Sequence, residues 1–279
     1  MNFLLLFFSI LLATGCNILY HKIGNGRFNP FTFSALSSLS WVLMLLWGGD
    51  TNVRLGEVVF GVAYGIIQAL FLYFKMRAMG TGPVSITTVI GNCSMLLSTL
   101  FGVIYFNESV SSFGVLGVFG ILFSVLLCLD AKADMKPLPK WKFFCVGFFL
   151  FAAATGIVFK LFSKTGGNGN NMMLISAFTM VTLMVVLSLC SKAPIKMPKR
   201  TALYALLLGA MSLGYCRLNL YLSGVLPSVV FFPTFNGAVV LLATVLGIFI
   251  FKEKLSKKQI LGVLLGLLAI LLLGNVFQL

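Results

Sequence analysis

The sequence predicts an all-α membrane protein of ten transmembrane helices, arranged as two inverted five-helix repeats. Three observations carry that expectation. First, 59% of the 279 residues are hydrophobic and 9% are charged, with a mean hydropathy of +1.06, an apolar share too large for a soluble core of this size. Second, the apolar residues gather into runs of roughly 20, the length that crosses a ~30 Å hydrocarbon layer at ~1.5 Å per residue. Third, the chain repeats itself. Moved along by 145 positions, Leu96 falls on Leu241, Thr99 on Thr244, Gly102 on Gly247, Phe106 on Phe251, Glu108 on Glu253, Ser111 on Ser256 and Gly117 on Gly262.

Taken in order, the runs cover 2–20, 31–48, 55–75, 83–106, 112–129, 142–162, 171–191, 201–222, 228–251 and 258–276. Pro137 and Pro139, the Asn168-Gly169-Asn170 triplet and the segment from Pro194 to Pro198 punctuate them. The stretch from Asp130 to Trp141, with charges of both signs and two prolines, is the expected linker. The chain thus divides into a first unit at 1–130, a connection at 131–141 and a second unit at 142–279. In the first run, Leu12-Ala13-Thr14-Gly15-Cys16 has the look of a lipoprotein cleavage site. No basic residue precedes it, and Ala154-Thr155-Gly156 stands at the corresponding place in the second half. Helix packing is the expected role of the motif.

The net charge of +14 lies mostly between the apolar runs, and 16 of the 20 basic residues fall in alternate loops. The positive-inside rule puts those loops in the cytoplasm and both termini outside the cytoplasm. A soluble chain of this charge would suggest nucleic acid as a partner; here the charge reports orientation and no nucleic-acid partner is expected. With an odd number of spans per half, the two copies have opposite topology, as in carriers that open alternately to either side.

Each half ends in a hairpin: an apolar helix, a Gly, a short turn with Glu108 or Glu253, a serine, and a Gly-rich helix. This pattern resembles the EamA-type branch of the drug/metabolite transporter superfamily, over the whole chain and most strongly over 83–129 and 228–276. The resemblance implies a transporter in which the first four helices of each half surround a central path and the fifth packs outside it. Many members of that branch are described with cytoplasmic termini, and the loop charges here argue for the reverse. Gly262 and Gly266 have the spacing that permits close helix contact. The fifth and tenth runs are therefore expected to pack within a monomer, or to serve a homodimer, rather than to bind.

Polar side chains concentrate elsewhere. Thr14, Asn17 and His21 form a stripe on the first run, Tyr64, Gln68 and Lys75 on the third, and Thr88, Asn92 and Thr99 on the fourth. Buried amides and hydroxyls in hydrocarbon require partners, so such stripes turn toward one another or toward a shared aqueous path. Proline and glycine interrupt the ninth run at Pro227, Pro233 and Gly237, around Thr234 and Asn236, and the fourth at Pro83. Broken helices of this kind often flank transporter binding sites. The substrate-binding candidates are Asn17, Tyr64, Gln68, Thr88, Asn92, Tyr215, Arg217 and Asn236; the gating candidates are Pro83, Pro233 and Gly237.

Among charged groups, Arg217 sits in an apolar run, where a charge needs a reason. It could snorkel, pair with Glu57, or hold an anionic group of the cargo. Lys160 is expected to snorkel. Glu108 and Glu253 are expected to cap the following helix or to close a gate. No acid falls in mid-membrane. The six cysteines show no metal-ligand or disulfide spacing, and no cofactor motif or catalytic constellation is present.

These features point away from an enzyme and toward a multi-pass secondary transporter in the cell membrane, moving a small polar organic molecule such as an amino acid by alternating access. The alternative is a flippase-like or accessory protein for polyprenyl-phosphate sugars. The expected partners are a small-molecule substrate and membrane lipid.

Overall fold

The computed structural model describes residues 2–23, 29–46, 52–82, 84–128, 138–191, 197–251 and 256–275. Its described residues form ten α-helices: α1 (Asn2–Ile23), α2 (Pro30–Leu45), α3 (Leu55–Thr81), α4 (Val84–Phe106), α5 (Ser112–Cys128), α6 (Trp141–Ser163), α7 (Gly169–Cys190), α8 (Lys199–Val225), α9 (Ser228–Phe251) and α10 (Lys257–Asn275). Each apolar run is a helix, as hydrocarbon demands, because a helix satisfies its own backbone polar groups. By length and composition, six of them are long and apolar enough to cross a membrane: α1, α3, α6, α7, α8 and α9. Most of the expected linker, the Glu253 turn and Pro83 lie outside the described residues, as do the side chains of His21 and Thr88.

Helix starts follow local chemistry. The Asn29 side chain accepts from Phe31 N ahead of Pro30, and Asn168 accepts from Asn170 N. Ser111 Oγ accepts from Gly114 N at 3.1 Å and so caps α5. Its repeat partner Ser256 accepts from Gln259 N at 3.3 Å, while Gln259 Oε1 accepts from Ser256 N at 2.9 Å, a reciprocal capping box on α10. The α5 cap is therefore the serine, not Glu108.

The packing has an internal correspondence. α5 lies on α10, α4 on α9 and α2 on α7; α3 packs on α6 and α7 as α8 packs on α1 and α2; α4 meets α6 as α9 meets α1. Exchanging each helix for the one five places away maps these contacts onto themselves. The α6–α8 and α5–α9 contacts break the pattern, since neither α1 with α3 nor α10 with α4 packs to a comparable extent.

Lipid tails are as apolar as Leu, so the helices associate by close packing instead of by burial from water. Two glycine pairs let backbones approach. A Cβ on Gly61 would meet Met172 O at 2.8 Å, and one on Gly65 would meet Ser176 O at 2.7 Å, so α3 and α7 touch through Gly61 and Gly65. On α10, Gly262 faces Cys128 and Leu127, and Gly266 faces Ser124 and Leu241. Ser124 Oγ donates to Gly262 O at 2.7 Å. The α10 glycine face is thus filled from within the same chain. Gly15 and Gly156 likewise admit side chains of other helices, Met211 in one case and Phe232 with Ser98 in the other. Large apolar side chains such as Leu100, Ile104, Phe119, Phe123, Leu268 and Leu271 stay exposed on the outside of the bundle, where a soluble protein would not leave them.

Candidate functional site

Among the described residues, four buried polar atoms have no hydrogen-bond partner: Thr14 Oγ1, Asn92 Nδ2, Thr99 Oγ1 and Thr234 Oγ1. They lie on α1, α4 and α9, and α9 packs on both of the others. Their neighbours Ala13, Met95, Phe231 and Phe232 belong to one buried apolar cluster. A polar group buried with no partner costs about 1–3 kcal/mol, so four on adjoining helices mark this region as a candidate site. Pro233 adds to this region. It lies inside α9, and because it has no N–H the Val229 carbonyl loses its helical donor.

Two tyrosines lie in or beside the buried clusters. Tyr64 is 2% exposed, its ring stacked on Phe159 at 4.6 Å between centroids. Its hydroxyl lies 3.8 Å from Cys216 Sγ. Tyr215 is half-buried, packs against three separate apolar clusters, and tilts toward Phe235 at 6.4 Å. Tyr215 therefore stands where the clusters meet.

The other sequence candidates are placed less uniformly. Gln68 is half-buried and Asn17 is exposed, so the α1 stripe divides between a buried Thr14 and an open Asn17. Asn236 Nδ2 donates to Phe232 O of its own helix at 2.9 Å. Gly237 is the seat of Ile121 from α5. Arg217 is exposed and donates to Asn170 Oδ1; the pairing with Glu57 weighed from the sequence is not formed, because Glu57 is taken by other donors.

Two polar ties close one end of the bundle, and neither was legible in the sequence. In the first, Lys160 is buried rather than snorkelling: its Nζ lies 2.7 Å from Glu108 Oε1 and donates to Leu226 O at 3.0 Å. Glu108 Oε2 accepts from Ser228 N at 2.6 Å, joining the α4–α5 turn, α6 and the start of α9. In the second, Glu57 at the start of α3 accepts from Asn168 N at 2.7 Å, Asn171 Nδ2 at 2.9 Å and Arg54 N at 3.2 Å. The signal available beforehand was the rarity of acids, six in the chain; the partners of Glu108, and those of Glu57 apart from Arg54 N, are remote in sequence.

At the same end a groove of about 420 Å³ opens between α6, α7 and α8, lined by Ser163, Asn170, Met173, Arg217, Leu220 and Tyr221 among others. A second, apolar groove of about 490 Å³ lies between α4 and α6, lined by Leu97, Leu100, Phe101, Ile104, Tyr105 and Ile157. Among the described residues no group of His, Cys, Asp and Glu could hold a metal ion.

Comparison with known proteins shows the family of the chain. Residues 8–279 match the family described as Sugar transport protein. The chain belongs to this family. A Listeria monocytogenes protein, provisionally named a sugar uptake protein, is 24% identical over 253 residues, covering 88% of this chain and 86% of its own. A protein of known crystal structure superposes with a TM-score of 0.80 at 14% identity, covering 99% of this chain and 98% of that chain, a likeness of fold alone. As a member of the sugar transport family, the chain is a multi-pass membrane transporter and not an enzyme.

Proposed function

We propose that the chain carries a sugar across the cell membrane, held among Thr14, Asn92, Thr99 and Thr234 and moved by alternating access. The observation that carries this reading is the set of four buried polar atoms without protein partners. They comprise one amide donor and three hydroxyls, each of which can donate or accept. A sugar offers many neutral hydroxyls with the same versatility and an apolar C–H face, for which the Tyr215 ring, packed against the same cluster, would provide a surface. Glu57 and Glu108 are both engaged at the bundle end, which leaves no described interior carboxylate for the ammonium group of an amino acid. The sugar uptake named for the Listeria relative favours the same cargo. Asn17, Gln68, Tyr215 and Asn236 would line the path around this set.

The EamA-type architecture belongs to this proposal. It takes 1–130 and 142–279 as inverted halves joined by 131–141, with all ten helices spanning and both termini outside. The correspondence of helix contacts on a five-helix shift supports it, and the loop charges support the orientation. A second reading, handling of a polyprenyl-linked sugar, is favoured by the apolar groove between α4 and α6, which would suit a lipid chain.

Uptake of labelled hexoses, pentoses and amino acids into proteoliposomes tests both. Saturable hexose or pentose uptake, lost in Asn92→Leu, is the expected result. Transport of amino acids alone would overturn the cargo assignment, and activity seen only with a polyprenyl-phosphate sugar would favour the second reading.

A further inference from the structure

We infer that the groove between α6, α7 and α8 is a capture site for the cargo sugar, separate from the central polar set. The inference rests on the sugar-carrier reading and adds a second binding position to it. Arg217 and Tyr221 stand at i and i+4 on α8, so they share one face of that helix and line the groove together. Arg217 is a charge in an apolar helix, exposed at the groove, and one of its N–H groups donates to Asn170. A guanidinium presents five donors in a planar fork. That fork suits two adjacent hydroxyl oxygens of a sugar ring as it suits the two oxygens of a carboxylate. Tyr221 supplies a ring for the C–H face opposite, and Ser163 a further hydroxyl on the α6 side.

The groove also rests on the buried core. Its floor includes Phe162, Met173 and Leu220, which belong to the same buried cluster as Tyr64 and Phe159, and Tyr215 packs against that cluster. Ser163 Oγ donates to the Lys160 carbonyl at 2.7 Å, and a Cβ on Gly224 would meet Ser163 at 2.8 Å. A sugar resting on Arg217 would therefore lie against the α6 and α8 turns that hold the Lys160–Glu108 pair, next to the closure it must pass.

The test uses the full chain in lipid nanodiscs and proteoliposomes. In Tyr221→Trp, titration with the transported sugar is expected to change the indole fluorescence, and the change should vanish when Arg217→Gln is added. In transport, Arg217→Gln alone is expected to raise KM about tenfold with the maximal rate kept, since capture is weakened while the central site is intact. An unchanged KM, or a lost maximal rate at unchanged KM, would overturn the capture site. So would a panel of sugars that is transported without any fluorescence response. A response with no transport of any sugar would instead leave the capture site standing and overturn the carrier reading; neither response nor transport would overturn both. Asn92→Leu separates the two positions further, because it should abolish transport and leave the fluorescence titration in place.

Discussion

Lys160 Nζ lies 2.7 Å from Glu108 Oε1, with the two side chains 3% and 15% exposed. The pair joins α6 to the α4–α5 turn, and Glu108 continues to Ser228 at the start of α9. Removing one partner of a shielded ion pair leaves an uncompensated charge, at a cost of about 3–5 kcal/mol, whereas replacing both with apolar groups is often neutral. Lys160→Met and Glu108→Gln should each lower the unfolding midpoint in detergent strongly, and the double variant should recover most of the loss. Additive losses in the double-mutant cycle would show that the two groups act independently.

The central set yields a different signature. Thr99→Val and Thr234→Val keep side-chain shape while removing a hydroxyl that has no protein partner. The protein without cargo should then be as stable as before or more so, by up to about 1–3 kcal/mol. Sugar uptake should fall at least tenfold. A drop in thermal midpoint without cargo would mean that these hydroxyls serve the fold instead.

The helices were legible because each apolar run is long enough to specify its own secondary structure, whatever it packs against. α5 was expected over 112–129 and spans Ser112–Cys128; α9 coincides with its expected range, 228–251. Thr99 and Asn92 were also readable as a stripe, since helical spacing places them on one face. What pairs with what was not readable. Lys160 has the appearance of an interfacial lysine until the α4–α5 turn is brought beside it, and Glu108 stands where a cap would, with Ser111 three residues on performing that task. The close approach at Gly61 and Gly65 was missed for a related reason. Their spacing matches that of Gly262 and Gly266, but only the facing α7 backbone reveals its use.

Glu57 concentrates three hydrogen bonds on one carboxylate: two from the α6–α7 connection and α7, and one from its own helix start. Glu57→Ala would strand those donors and should destabilise the protein by about 2 kcal/mol or more, given a cost of about 1–3 kcal/mol per unsatisfied buried group. Glu57→Gln keeps one acceptor oxygen and should lose about half as much. Chemical unfolding of both variants in one detergent checks the order; a glutamine variant as damaged as the alanine variant would mean that the charge, rather than the acceptor geometry, matters.

The α5–α10 contact carries a prediction about assembly as well as stability. Gly262 and Gly266 have the spacing associated with helix dimers, yet Cys128, Leu127, Ser124 and Leu241 of the same chain already occupy their face. A side chain at Gly266 would drive into Ser124 and Leu241, and overpacking of this kind costs about 1–3 kcal/mol. Gly266→Val should therefore lower the unfolding midpoint and leave the oligomeric state, measured by light scattering in detergent, as it is in the wild type. Gly56, where an added Cβ would meet nothing within 4 Å, supplies the control: Gly56→Ala should be neutral or slightly stabilising, because the helix start gains propensity without a clash. Conversion of a wild-type dimer to a monomer by Gly266→Val at unchanged stability would instead place that glycine face between two chains.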